Sequence, residues 1–281
     1  MTASLSLNGA VVAVQRDGTD IDPRLSPRPY LHPVRTRGGT EVTEHLPADH
    51  LHHLGVGVAV PDVSGVSFWG GRTFVRDQGS VLLDNHGRQE HVAWSAEEDG
   101  ERVEELSWTG PDGVEMLRER RTTRALALDA DTWVLDLRVE LDNTSGRDLS
   151  IGSPATNGRP GAGYGGLFWR APLGAEPPAV TGAGGLAGEQ ALHGSRAEWL
   201  ALAGADGSGA PWTLVFVQPG EHRDPWFLRA SDYPGVGPAL AWEERLPLPE
   251  GGRLERRLRV AVRDGHPADP GALAGTIGEL D

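Results

Sequence analysis

The sequence predicts an all-β protein, built as a single domain of antiparallel sheets over residues 1–281. Apolar and polar residues alternate with a period of two through several segments, which is typical of strands with one buried face. The chain contains 39 glycines and 21 prolines without a fixed period, so turns are frequent. No segment carries a long apolar stripe at the 3.6-residue helical spacing. These three observations favour one large antiparallel sandwich over a chain of helices or two domains.

The strand patterns can be placed in chain order by their turns. The first is a hairpin over residues 4–14, because Asn8-Gly9 is well suited to a tight primed turn. The tail after Pro270 is the best helical candidate. Strands with one apolar face are predicted at 132–141, 212–216 and 254–262.

Composition excludes several classes of function. The chain has no cysteine, and all 26 of its cationic side chains are arginines, so thiolate chemistry, Schiff-base lysines and a Walker-type phosphate loop are excluded. A formal charge of −14 argues against nucleic acid or anionic membranes as partners. The start of the chain lacks the pattern of a signal peptide, and no apolar run reaches membrane-spanning length. We therefore expect a cytoplasmic protein whose partner is a small molecule.

The segment from Ser150 to Arg170 is predicted to be a ligand-binding loop between two strands. Its many glycines supply no side chains for a core, but they allow another molecule to approach the backbone closely. The loop carries four side chains that suit a hydroxyl-rich or anionic small molecule, namely two guanidinium groups, a phenol and an apolar aromatic ring. These side chains belong to Arg159, Tyr164, Trp169 and Arg170.

A dinucleotide fingerprint is also spelled within this loop. Gly161, Gly163 and Gly166 match G-x-G-x-x-G, a motif that requires a preceding strand and a following helix. Here Pro160 precedes the motif and the strand-like run 167–170 follows it. We interpret the segment as a loop and not as a nucleotide cradle.

Histidines are the main candidates for acid–base or ligand chemistry, and their densest run is His50-Leu-His52-His53. If this run is extended, His50 and His52 share a face, with the H-x-H spacing of many strand-borne metal sites. A cupin would place a glutamate shortly afterwards, where Leu54 and Gly55 stand. A divalent metal held by His50 and His52 therefore remains one alternative, and a surface loop with chance histidines is another.

Two further polar clusters could contribute to a site. His86 and His91 lie in the run 84–91, which ends one strand and begins another, where they could meet a sugar or form a solvated turn. His222 and Asp224 lie beside Trp226 and are candidates for a pocket. The tryptophans that border glycine- or proline-rich loops, and could stack on a sugar face, are Trp69, Trp169 and Trp226.

The order of these pieces resembles the galactose-mutarotase (aldose 1-epimerase) superfamily. The matching segments are Asn85-His86-Gly87 with Trp94 downstream, the strand 132–141 followed by 150–157, and the run 227–234. This resemblance implies a large antiparallel β-supersandwich. Arg229 stands where the superfamily has its general-base glutamate, and residues 150–170 contain no histidine for the general acid. The resemblance therefore does not imply ordinary mutarotation.

A closer resemblance is to the bacterial PmoA-like family, often labelled methane oxygenase PmoA. It rests on motifs at Arg28–Pro33, Asp49–His53, Arg159–Leu167 and Asp232–Pro238. The family's usual run continues His-His-Arg-Gly, whereas Leu54 follows His53 here. The resemblance implies an association with sugar catabolism.

We therefore expect one concave face that binds a carbohydrate or a sugar-derived acid. The residues predicted to line it are His32, His52, His53, His86, His91, Arg159 and Tyr164. Further substrate-binding candidates are Trp169, Arg170, His222, Asp224 and Arg229.

Without cysteine, lysine or a G-x-S-x-G elbow, acid–base catalysis by imidazole and carboxylate is the chemistry that remains, and we predict no cofactor for it. The predicted catalytic histidines are His52, His53, His86 and His91. Arg159 would stabilise a developing oxyanion, which suits an epimerase, lyase or hydrolase acting on a sugar or keto-sugar. Two alternatives remain open: a non-catalytic sugar-binding or regulatory module, and a metal-dependent enzyme that uses His50 and His52.

Overall fold

The computed structural model describes residues 2–98 and 100–280. The strands in this part of the chain are β1 (Thr2–Leu7), β2 (Ala10–Arg16), β3 (Tyr30–Val34), β4 (Val56–Ala59), β5 (Asp62–Val63), β6 (Thr73–Val75), β7 (Gly79–Val81), β8 (Arg88–Glu98), β9 (Glu101–Thr109), β10 (Glu115–Ala127), β11 (Thr132–Asn143), β12 (Leu149–Gly152), β13 (Gly166–Arg170), β14 (Ala179–Gly182), β15 (Trp199–Ala205), β16 (Pro211–Val217), β17 (Trp226–Arg229), β18 (Gly235–Pro238), β19 (Leu246–Leu248) and β20 (Arg253–Asp264). The helices are α1 (Glu189–Leu192), α2 (Pro270–Gly278) and two 3-10 turns at Pro23–Leu25 and Ala183–Gly185.

Two large antiparallel sheets form the body of the protein. The seven-stranded sheet has the order β1-β2-β3-β4-β13-β18-β17, and the eight-stranded sheet has the order β14-β15-β16-β20-β11-β10-β9-β8. Smaller sheets join β19, β12 and β5, and pair β6 with β7. The prediction of an all-β fold with antiparallel sheets is confirmed. Among the described residues, no helix is long and apolar enough to cross a membrane.

The turn and the strands that the sequence predicts from local patterns are present in the structure. Asn8 and Gly9 both have positive φ angles, 51° and 81°, and join β1 to β2 as expected for a primed turn. The three alternating segments became β11, β16 and β20, and the tail after Pro270 became α2. The strand β13 begins at Gly166, so a strand and not a helix follows the glycine motif.

The main core is built from one face of each large sheet. Leu135, Leu137 and Val139 of β11 share a buried apolar cluster with Val58 of β4 and Trp169 of β13. Successive strand residues point to opposite faces, so this cluster takes every second residue of each strand. The opposite faces of both sheets are left for other contacts.

The outer face of the eight-stranded sheet is covered by α2. Val134 of β11 and Ala261 of β20 pack with Ala274 and Ile277 of the helix. The guanidinium of Arg259 donates to the carbonyl oxygen of Ile277 at 3.0 Å. This cover explains why the first half of β11 is buried on both faces, although its sequence alternation predicts a half-buried strand.

The start of α2 provides a test of this cover. Asp269 is the N-cap, and its carboxylate accepts from the backbone N–H groups of Gly271 and Ala272 at 2.8 and 3.1 Å. We expect Asp269→Ala to lower the free energy of unfolding by about 1 kcal/mol, measured by urea denaturation. Asp269→Asn keeps an acceptor at the cap and should cost much less, and equal losses in the two variants would contradict the capping role.

Candidate functional site

A cleft of about 590 Å³ lies on the outer face of the seven-stranded sheet. On this face Phe168 and Phe227 join Ala59, Trp69 and Ala239 in a second apolar cluster, separate from the main core. We call this cleft the histidine cleft. The residues that line it are Leu25, Ala48, Asp49, His50, Leu51, His52, His53, Trp69, Gly71, Arg72, Phe74, Ser80, Arg159, Ala162, Tyr164, Phe227, Arg229, Asp232 and Tyr233. Five parts of the chain that are distant in sequence therefore meet here.

The wall of the histidine cleft is a connected series of aromatic rings. Tyr164 packs on Trp69 with 4.6 Å between ring centroids and on Phe227 with 5.3 Å. His53 extends the series, because its ring centroid lies 5.8 Å from that of Trp69 and 5.2 Å from that of Tyr233. Such a surface offers flat apolar area to a ligand together with polar atoms at the ring edges.

The histidine run is a compact turn, which corrects the expectation of an extended segment. The N–H of His53 donates to the carbonyl oxygen of His50 at 2.9 Å, and the N–H of Leu46 donates to that of His53 at 2.8 Å. The ring centroids of His50 and His52 lie 5.8 Å apart, and the ring planes are inclined at 65°. Within residues 2–98 and 100–280, no three histidine or acidic side chains are arranged to hold a metal ion.

His53 is a buried imidazole at the base of the turn, and His52 beside it is partly buried. Burial, with the nearby Arg28 and His50, lowers the pKa of His52 to about 3. Burial, with its histidine and arginine neighbours, also places the pKa of His53 far below its ordinary value. Both rings are therefore neutral at neutral pH. The Nδ1 atom of His53 is buried and has no hydrogen-bond partner among the described residues.

Arg28 holds this turn in place from beneath. Its guanidinium is buried and donates to the carbonyl oxygens of Ser26 at 2.8 Å, Trp69 at 3.1 Å and His52 at 2.6 Å. Burial and the neighbouring Arg121 lower the pKa of Arg28 to about 9. A single cation thus ties the histidine turn to the loop that carries Trp69.

His50 is a partly exposed imidazole whose orientation is fixed by a neighbouring carboxylate. Its Nδ1 lies 2.8 Å from a carboxylate oxygen of Asp49, and its side chain is about one-third exposed, at 31%. Burial acts to raise the pKa of Asp49, but hydrogen bonds and the charges of His50 and Arg170 outweigh it, so the pKa lies below its ordinary value. A carboxylate on one ring nitrogen fixes the orientation of an imidazole and leaves the other nitrogen for a ligand.

Two phenols face the histidine cleft without a protein partner. Among the described residues, the hydroxyl groups of Tyr164 and Tyr233 form no hydrogen bond. Burial raises the pKa of Tyr164 to about 12 and also raises that of Tyr233. Both hydroxyls are therefore protonated and can donate to a ligand.

Three arginines line the histidine cleft and differ in their pairing. Arg229 lies 3.4 Å from Glu189, contacts His193, and is placed over the ring of Phe227. Among the described residues, the guanidinium of Arg72 donates only to the carbonyl oxygen of Ser80. Arg159 is exposed, and its guanidinium has no hydrogen bond or ion pair with any described residue. The cleft therefore contains cations that other protein groups do not neutralise.

The structure corrects the prediction for Trp169. Trp169 is fully buried in the main core, and its indole N–H donates to the carbonyl oxygen of Val42 at 2.8 Å. It cannot stack on a ligand, because β13 turns it to the face opposite Phe168. Trp226 is likewise fully buried in the core.

Arg170 lies beneath the cleft and not in its lining. Its guanidinium is 2% exposed, pairs with Glu44 at 3.0 Å, and is placed 4.7 Å from the ring centroid of Tyr233. It supports Tyr233 from behind, so the prediction of direct ligand contact is not met by this arrangement.

Three predicted histidines lie outside the lining of the histidine cleft. His32 contacts Thr43 and stacks on His45, and burial lowers its pKa to about 4. His86 lies 2.7 Å from the carbonyl oxygen of Gly71, so it supports a lining residue without facing the cleft. His91, on β8, lies 2.8 Å from Glu104. These are corrections to the predicted set, since the long-range pairing of strands separates them from the histidine turn.

His222 and Asp224 lie at a different surface. Asp224 is buried, pairs with Arg256 and His222, and lines a second cleft of about 480 Å³ together with Trp242. Neither residue lines the histidine cleft, although both belong to the predicted substrate-binding set. His222 itself is mostly exposed.

Several residues of the histidine cleft were not predicted as site residues. Tyr233 was part of a recognised motif, but its phenol was not assigned a role. Glu189 and His193 position Arg229, and Glu189 also accepts from the backbone N–H of Ala230 at 2.8 Å. The motif over 232–238 was the one sequence signal that could have identified Tyr233.

Comparison with known families places the chain in a group without an assigned activity. The model of a family of unknown function, DUF6807, matches residues 2–276. The chain belongs to the DUF6807 family. No curated protein matches it. For this DUF6807 chain, function must therefore be argued from the histidine cleft itself.

Proposed function

We propose that the protein binds a carbohydrate or a sugar-derived acid in the histidine cleft and carries out acid–base chemistry on it. The observation that carries this proposal is the combination in one cleft of an aromatic wall, two unpartnered phenols and a carboxylate-oriented imidazole. Sugars offer apolar ring faces and many hydroxyls, which this combination can satisfy. The resemblance to the PmoA-like and mutarotase groups supports the same substrate class.

His50 is the group that we assign to proton transfer. Its position beside Asp49 keeps one tautomer, and its ring centroid lies 4.6 Å from that of Tyr233, whose protonated phenol is a candidate counterpart. His52 and His53 are assigned to positioning, because their low pKa values make them weak bases. Epimerisation, ring opening and β-elimination each need a base and a donor of this kind.

The proposal is tested in two steps. Isothermal calorimetry against monosaccharides, keto-sugars and uronates measures whether the cleft binds a sugar. Proton NMR of the ligands that bind, recorded with and without protein, then detects turnover. Absence of binding to every sugar of the panel, with Trp69→Ala and wild type alike, would refute the carbohydrate assignment.

For a sugar that is turned over, His50→Gln should lower kcat by about 10²–10⁴-fold, because a positioned acid or base contributes this much. The matched control is His222→Gln, which removes a mostly exposed imidazole outside the cleft and should leave kcat unchanged. Asp49→Asn should shift the pH profile of kcat while retaining binding. Equal kcat values for His50→Gln and wild type would remove His50 from the mechanism.

A non-catalytic sugar-binding module is the second candidate. It is favoured by one observation, namely that His86 and His91, the predicted counterparts of the histidine run, do not line the cleft. Binding in calorimetry without any turnover in the NMR experiment would favour this module over an enzyme.

A further inference from the structure

The histidine cleft is lined by arginines, although the protein as a whole is acidic. The chain has a formal charge of −14, so carboxylates are abundant. Elsewhere in the described chain, arginines such as Arg121, Arg245 and Arg256 pair with carboxylates at 2.5–2.8 Å. Within the cleft, Arg72 and Arg159 have no carboxylate partner among the described residues. Two guanidinium groups that no described carboxylate neutralises therefore line the same cleft.

The negative groups of the lining do not neutralise these cations. Asp49 is engaged with His50, and its distance to Arg170 is 4.0 Å. Asp232 is exposed and forms no ion pair with any described residue, Arg159 included. The side chains of His52 and His53 are neutral. The polar groups of the histidine cleft that remain available to a ligand are thus mainly hydrogen-bond donors.

Arg159 lines the histidine cleft together with the phenols of Tyr164 and Tyr233. Its positive charge acts to lower the pKa of Tyr164 and of Tyr233 against the larger, opposing effect of burial, and all three side chains line the same cleft. Arg229 and Arg170 act on Tyr233 in the same direction. A planar guanidinium and two phenols supply the hydrogen-bond donors that suit a carboxylate, which accepts up to four hydrogen bonds.

We infer that the ligand of the histidine cleft is a sugar acid, of the uronate or aldonate class, whose carboxylate is held by Arg159 with Tyr164 and Tyr233. Arg72, tied to the β6–β7 hairpin through Ser80, supplies a second positive charge to the same cleft. The aromatic wall then contacts the carbon skeleton, and the Nε2 atom of His50 faces the hydroxyl-bearing carbons. This inference rests on the proposed function and specifies its substrate class.

Calorimetry with matched ligand pairs tests the inference. The probes are D-glucuronate with D-glucose, D-galacturonate with D-galactose, and D-gluconate. At least one acid should bind at least about 10-fold more tightly than its neutral partner, since a hydrogen-bonded ion pair of this type contributes such a factor. The affinity for the acid should fall with added NaCl, whereas that for the neutral sugar should not.

The decisive variant is Arg159→Gln, which removes the charge from an exposed side chain and leaves the folded core intact. It should reduce the affinity for the acid about 10-fold and change that for the neutral sugar less than about 2-fold. Arg147→Gln is the matched control, because Arg147 is also exposed and its side chain has no partner among the described residues. It lies outside the lining and should change neither affinity.

The outcomes separate the two proposals. If neutral sugars bind as tightly as the acids, or if Arg159→Gln weakens both equally, the carbohydrate assignment stands and the sugar-acid inference is wrong. If carboxylates without hydroxyls, such as propionate, bind as tightly as the uronates, the anion site stands and the carbohydrate assignment is wrong. If no probe binds, both are refuted.

Discussion

Arg121→Met is expected to lower the free energy of unfolding by about 3–5 kcal/mol, because it leaves a buried carboxylate without its cation. Glu119 is fully buried, and Arg121 donates to its two oxygens at 2.6 and 3.0 Å. The indole N–H of Trp108 donates to the same carboxylate at 2.7 Å. Arg121 also donates to the carbonyl oxygen of Pro29, beside Arg28, so the loss should loosen the support of the histidine turn.

Urea denaturation followed by tryptophan fluorescence measures this effect, and the neighbouring residue supplies the control. Arg120 points to the other face of β10 and pairs with Glu105 at 2.9 Å, with both side chains partly exposed. Arg120→Met should therefore cost less than about 1 kcal/mol. Adding Glu119→Gln to Arg121→Met should restore part of the loss, since the uncompensated charge is removed. Equal costs for Arg120→Met and Arg121→Met would contradict the buried pair.

Strand alternation and turn chemistry predicted much of the fold. Both are local: the Asn8-Gly9 turn and the alternating residues of β11 depend on neighbours in sequence. The cover of β11 by α2 was not predictable in the same way, because it depends on where a tail more than one hundred residues later packs. Alternation shows that a strand has two faces, but it does not show what covers each face.

The same limit explains the errors at the site. The run 167–170 was recognised as a strand, so Trp169 had to face opposite Phe168 and Arg170. Which of these faces meets the core is decided by pairing with β4 and β18, and the sequence did not reveal that pairing. Tyr164 and Arg159, which loop composition suggested, line the cleft. Trp169 lies in the core, because alternate residues of β13 point to opposite faces of the sheet.

Histidine density located the cleft, but it did not distinguish the roles of the histidines. The turn at 50–53 exposes His50 and buries His53, a difference set by the contacts of Arg28 and Phe168 with this segment. Neighbouring histidines of identical chemistry thus differ in burial. Burial cannot be read from the sequence run, because each neighbouring group comes from another part of the chain.

The protein should lose about 4 kcal/mol of stability between pH 7.5 and pH 5 through His52 and His53 alone. In the unfolded chain a histidine has a pKa of about 6.5 and gains a proton over this interval. In the folded protein the pKa of His52 is about 3 and that of His53 lies far below its ordinary value, so neither ring gains one. The unfolded state then binds more protons, and stability falls as pH falls below about 6.5, by about 2 kcal/mol per ring.

Urea denaturation at the two pH values should show this loss in wild type and a loss smaller by about 4 kcal/mol in the double variant His52→Gln/His53→Gln. His222→Gln, which removes a mostly exposed imidazole, should retain the wild-type pH dependence. Because the double variant can lose stability at both pH values, the comparison uses only the difference between them. Nitrogen NMR of the intact protein at pH 5 gives an independent measurement, since His52 and His53 should remain neutral there. Protonated rings at pH 5, or an unchanged pH dependence in the double variant, would mean that the base of the histidine turn is open to water, and the assignment of proton transfer to His50 would lose its distinction from His52.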